Sequence, residues 1–68
     1  MKIGDKVTNK GGIYYGDKYY APLSLIGKII SIGQCLYSHF DQDYLVKRYD
    51  IEWPNFKDWG TAHTIKKI

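Results

Sequence analysis

Cys35, His39 and His63 are the only side chains with soft-metal or nucleophile chemistry, and their spacing favours neither use. A zinc site takes four ligands, commonly supplied as C-x-x-C or H-x-x-x-H pairs, and no such pair occurs. Cys35 and His39 would adjoin on a helix, where an imidazole can hold a thiolate, but no third group stands ready to orient the base. Cys35 is therefore expected to be a buried structural thiol. Asp41-Gln42-Asp43 has the D-x-D form of a cation loop without the downstream Gly and Glu, which leaves a solvated turn. Gly11-Gly12 is too short to cradle a phosphate. The chain is read as a non-enzymatic protein with no catalytic residue, metal site or cofactor.

Recognition chemistry is better represented. Tyr14, Tyr15, Tyr19 and Tyr20 form two adjacent pairs around Gly16-Asp17. Flat amphipathic rings of this kind can stack on bases or on a peptide. Neighbours in an extended segment face opposite ways, so one Tyr of each pair is expected to pack inward and the other to face solvent. Lys47, Arg48 and Lys57 can supply phosphate contacts, which gain affinity by counterion release. Arg48 shares a strand face with Asp50 and Glu52, so part of that charge is expected to be neutralised locally. Trp53 and Trp59 flank a turn; the first expectation for rings this large is packing, and an exposed one would be a binding hot spot.

The elements that position these residues read as strands. Tyr49, Ile51 and Trp53 alternate with Asp50 and Glu52, the pattern of a half-buried antiparallel strand. Leu45–Trp53 is the strand so defined, Pro54–Asp58 the turn after it, Trp59–His63 the next strand and Ile65–Ile68 a closing one. Upstream, Gly4–Asn9 reads as a first strand ended by Gly11-Gly12. The Tyr-rich stretch Ile13–Pro22 reads as an irregular hairpin or folded loop. Leu25–Ile32, rich in β-branched residues, reads as the best-buried strand, with a bulge or bend at Gly27. Gln34–Tyr44 shows no clean period and reads as a long loop, with room for a helical turn at Leu36–Phe40.

A chain of 68 residues has room for one domain, residues 1–68, and one modest core. A single cysteine allows no intrachain disulfide, so aromatic residues, 16% of the chain, must supply the core. The unpaired thiol and the absence of a signal-peptide pattern at Met1–Lys6 place the expected site of action in the cytoplasm. The longest apolar run, Leu23–Ile32, is interrupted by Ser24, Gly27, Lys28 and Ser31 and falls short of a membrane span. Ten basic against seven acidic residues give a net charge of +3, a mild preference for polyanionic partners. Starting at Met1 and ending with the closing strand, the sequence reads as a complete gene product.

Five short strands with a long first loop and a long middle loop resemble the SH3-like barrel superfamily. The matching residues are Gly4-Asp5-Lys6-Val7, Gly27-Lys28-Ile29-Ile30-Ser31-Ile32, Tyr49-Asp50-Ile51-Glu52-Trp53 and His63-Thr64-Ile65. Their rhythm is similar to that of Tudor-like and KOW-like barrels. The resemblance implies an all-β, five-stranded SH3-like barrel. In the Tudor-like case it implies an aromatic cage drawn from Tyr14, Tyr15, Tyr19, Tyr20, Trp53 and Trp59. In the KOW-like case it implies work on nucleic acid or its processing machinery. The acidic first loop and Trp-Trp pair of proline-binding SH3 domains are missing, which weighs against a proline-rich ligand.

The expected function is a small binding protein that contacts nucleic acid, or a nucleic-acid-processing complex, through an aromatic and basic rim. That rim comprises Tyr14, Tyr15, Tyr19, Tyr20, Lys47, Arg48, Trp53, Lys57 and Trp59. The competing expectation is a protein-binding adaptor or inhibitor, such as a virus-encoded or mobile-element factor that captures a host protein. Open strand edges also make a homodimer an expectation.

Overall fold

The computed structural model describes all of residues 1–68 and is all-β. Its strands are β1 (Lys6–Asn9), β2 (Ile13–Tyr15), β3 (Lys18–Tyr20), β4 (Gly27–His39), β5 (Gln42–Glu52), β6 (Lys57–Gly60) and β7 (Ile65–Lys67). Five form an antiparallel sheet in the order β6-β5-β4-β1-β7, and β2 pairs with β3 in a separate hairpin. The hydrogen-bonded ladder does not close: β6 and β7 are free edges, which corrects the expectation of a closed barrel. No helix is long and apolar enough to cross a membrane.

The core follows the alternation. Val7, Ile29, Tyr49, Ile51, Trp53, Phe56 and Ile65 are the buried apolar residues, drawn from β1, β4, β5, the turn after β5, and β7. Each aliphatic side chain so buried contributes about 1.5–3 kcal/mol relative to exposure. Gly27 is needed for this packing. A Cβ there would lie 2.5 Å from the Ile51 Cγ2 atom and 2.8 Å from the Trp53 ring. The predicted irregularity falls instead at Ile30, where the register of β4 against β5 shifts between Ile29 and Ser31. An extra residue of this kind bends a strand and increases its twist.

The largest departure from expectation lies in the middle of the chain. Gln34–Tyr44, read as a loop with room for a helical turn, is the end of β4, a two-residue turn and the start of β5. β4 and β5 pair without interruption from Ser31↔Asp50 to His39↔Gln42 and reverse through Phe40-Asp41. Both turn residues have positive φ, 49° and 62°. That pair of angles marks a type I′ turn, whose twist suits a two-residue hairpin but which normally recruits Asn-Gly. The segment lacks a period because neither of its faces is covered: nearly every side chain from Gly33 to Leu45 is exposed.

Smaller shifts follow the turns. The strand expected at Trp59–His63 is β6, Lys57–Gly60, and the turn before it is short, closed by the Trp53 N–H donating to the Phe56 carbonyl at 2.8 Å. Residues 61–64 form a capped turn in which the Thr64 hydroxyl accepts from the Thr61 N–H at 3.0 Å. Lys10 ties this turn to the end of β1 by donating from Nζ to the Ala62 carbonyl at 2.7 Å.

Candidate nucleic-acid interface

Residues paired across an antiparallel ladder point to the same face. Lys6 pairs with Lys28, Lys28 with Glu52, and Glu52 with Lys57, so one row of side chains crosses four neighbouring strands, β1, β4, β5 and β6. All four side chains are exposed. With strands about 4.8 Å apart, the row spaces three ammonium groups and one carboxylate over roughly 15 Å. It borders a cleft of about 530 Å³ lined by Lys6, Lys28, Trp53, Asn55, Phe56 and Lys57.

A second row lies beside the first. Asp50 pairs with Trp59 across β5 and β6, and the Arg48 guanidinium sits 4.8 Å from the Trp59 ring centre while its Nε donates to the Asp50 carboxylate at 3.1 Å. The Trp59 indole remains 49% exposed. Arg48, Asp50, Lys57 and Trp59 line a second recess of about 390 Å³, so Lys57 belongs to both depressions. This outer sheet face therefore combines Lys6, Lys28, Arg48 and Lys57 with an open indole.

The tyrosines divide by face. Tyr14 and Tyr19 are paired in register on the outer side of the β2–β3 hairpin, ring centres 4.9 Å apart, and the Tyr19 hydroxyl donates to the Gly11 carbonyl at 3.2 Å. Tyr15 and Tyr20 take the inner side. Tyr15 stacks on Phe56, which lines the lysine-bordered cleft, and Tyr20 lies 6.2 Å from the same ring with the Lys18 ammonium 5.1 Å from its own centre. Neighbouring tyrosines take opposite faces of the hairpin, but Tyr15, 52% exposed, is no more enclosed than Tyr19, 47% exposed, so the expected inward packing holds for Tyr20 and not for Tyr15.

Besides the tyrosines, which belong to the separate β2–β3 hairpin, Trp53 and Lys47 also fall outside the basic face. Trp53 is 3% exposed and part of the core, because it continues the inward alternation of Tyr49 and Ile51; its indole N–H is buried without a hydrogen-bond partner. Trp53 and Trp59 thus lie on opposite faces and do not pack on each other. Lys47 pairs with Gln34 on the face opposite to Arg48, and so stands apart from Lys57. Conversely, Lys6 and Lys28 were missed. Each immediately precedes an inward residue, Val7 or Ile29, so alternation marks both as outward, but only the strand register makes them neighbours.

The remaining chemical candidates stay dispersed. Cys35 is half-buried, not enclosed as expected, and no group of three or more His, Cys, Asp or Glu side chains converges. The Asp43 carboxylate accepts from the Ser38 hydroxyl at 2.6 Å across the hairpin. At the start of β1, the Asp5 carboxyl is held below the usual carboxylate range. The Lys2 backbone N–H, donating at 2.9 Å, is the main cause; partial burial opposes it, and the Lys67 ammonium at 3.8 Å adds to it.

Comparison with known proteins finds no matching family model, no matching curated protein and no matching solved structure.

Proposed function

We propose that this protein binds single-stranded nucleic acid on the outer face of β4, β5 and β6, as a non-enzymatic accessory factor of the cytoplasm. The observation that carries this reading is the lateral row Lys6, Lys28, Glu52, Lys57 beside the half-open Trp59. A phosphodiester backbone running across the strands would meet the ammonium groups in turn, releasing counterions. Trp59 offers a ring to unstacked bases, a contact worth about 1–3 kcal/mol per base and tolerant of sequence. Arg48 supports the Trp59 ring from one side and adds positive charge.

An SH3-like reading of the architecture accompanies this proposal. A three-stranded meander, β4-β5-β6, with the first strand bridging it to the last, is the order such a fold requires, and the β2–β3 hairpin takes the place of its long first loop. The order supports the reading; the open edge between β6 and β7 is where this chain departs from a closed ladder.

Charge reversal tests the function. Lys28→Glu and Lys57→Glu together should abolish binding of a fluorescent single-stranded oligonucleotide at low salt, with the far-ultraviolet spectrum and melting temperature preserved. Equal affinity for wild type and double variant would refute the site.

A second reading, a protein-binding adaptor or inhibitor, is favoured by one observation: Tyr14, 75% exposed, stands beside Tyr19 on the hairpin face opposite to Tyr15, the residue that stacks on Phe56. Pull-down from nuclease-treated lysate separates the two. A partner kept after nuclease treatment and lost in Tyr14→Ser would support the adaptor.

A further inference from the structure

The β4–β5 hairpin outruns the sheet that carries it. β1 pairs with β4 only at Gly27 and Lys28, and β6 pairs with β5 only over Tyr49–Glu52. From Gly33↔Arg48 to His39↔Gln42 the two strands form an arm with no third strand; Cys35, Val46 and Arg48 on one face are half-buried, and the side chains of the other face are exposed. A two-stranded hairpin is marginal in water by itself, so an arm of this length gains from something laid against it.

One face of the arm is complementary to itself. Cross-strand pairs put Gln34 with Lys47, Leu36 with Leu45, and Ser38 with Asp43 on that face, in order from base to tip. Leu36 and Leu45 are 69% and 67% exposed, and the four polar side chains are exposed as well. Lys47 and Asp43 lie two residues to either side of Leu45, roughly 7 Å each way along the strand. A two-fold axis lying in the contact plane, across the arm at the leucine pair, sets Leu36 and Leu45 against the same residues of a second copy. It also sets each Lys47 against Asp43 of the other copy, and each Gln34 against Ser38. The Asp43 oxygen that accepts from Ser38 leaves the other carboxylate oxygen free for this contact.

From this complementarity we infer that the protein self-associates through the arm, as a two-fold dimer with the leucine face of one copy packed antiparallel on that of another. Isologous contacts of this type are the commonest basis of homodimers. The face presents only three cross-strand pairs per copy, far fewer than the roughly 20–30 residues a side of a standard interface, so the dimer is a weak one with a Kd on the order of tens to hundreds of micromolar. Its formation needs no nucleic acid and is independent of the basic sheet face.

Sedimentation equilibrium without nucleic acid tests the inference. Wild type should self-associate, and both D43K and K47D, each of which opposes like charges across the axis, should weaken association by at least about 10-fold. An equimolar mixture of D43K and K47D should associate again, because every charged pair is then matched. Leu45→Asp, which sets two carboxylates at the axis, should remain monomeric; circular dichroism verifies that each variant is folded. A wild type that stays monomeric to about 500 µM overturns the inference and leaves the arm to another protein partner. So does a dimer indifferent to the charge changes, which would be joined by strand edges instead.

Discussion

Tyr15 stacks face to face on Phe56, ring centres 4.0 Å apart and planes 7° from parallel. The contact joins the β2–β3 hairpin, which shares no ladder with the main sheet, to the turn between β5 and β6 that carries the lysine-bordered cleft. Phe56→Ala should cost about 3–5 kcal/mol, the range for deleting a buried phenyl ring. Tyr15→Ala should cost about 1 kcal/mol. Urea titration of both single variants and the double variant checks this: less than additive losses confirm the coupling, and simple addition contradicts it.

Phe40 and Asp41 hold positive φ without being Gly or Asn. A left-handed conformation costs an ordinary L-residue roughly 1–2 kcal/mol, which Asn, with its local hydrogen bonding, largely avoids. Phe40 is also 86% exposed, so its removal forfeits little packing. Phe40→Asn should raise stability by about 0.5–1 kcal/mol, read from the denaturation midpoint at unchanged m-value. A lower midpoint would mean that the exposed ring supports the arm more than its backbone strains it.

Asp5 gives the fold a pH dependence of known sign. Its carboxyl is depressed in the folded state, chiefly by the Lys2 N–H. The stability gained from its ionised form is therefore fully present above the unfolded value, about pH 4, and lost as pH falls through the lower folded value. Melting temperatures of wild type and Asp5→Asn should differ at neutral pH and converge in acid. Parallel curves down to about pH 2 would contradict this role.

Where a strand has one buried face, the amino-acid order discloses it. Tyr49, Ile51 and Trp53 alternate with polar residues and all three are buried, and Tyr14 and Tyr19 share the hairpin face opposite to Tyr15 and Tyr20 as period two requires. Gln34–Tyr44 hid its strands because hydrophobic alternation arises only when one face is covered, and because Phe40-Asp41 carries no turn signature. The basic row was hidden for another reason. Lys6, Lys28 and Lys57 lie far apart along the chain, and their adjacency depends on cross-strand register, including the extra residue at Ile30, that no local pattern encodes. The same logic misplaced Lys47, whose sequence neighbour Arg48 points the other way.

Basic charge close to an open indole is the centre of this account, and the salt dependence of oligonucleotide affinity tests it most directly. With Lys6, Lys28, Arg48 and Lys57 engaging phosphates, log Kobs should fall against log salt with a slope of about −2 to −3 for a single strand. Trp59 emission should be quenched as bases stack, and Lys28→Glu should flatten the slope by about 1. No binding at low salt, or binding whose slope and quenching are untouched by Lys28→Glu and Trp59→Ala, would contradict it.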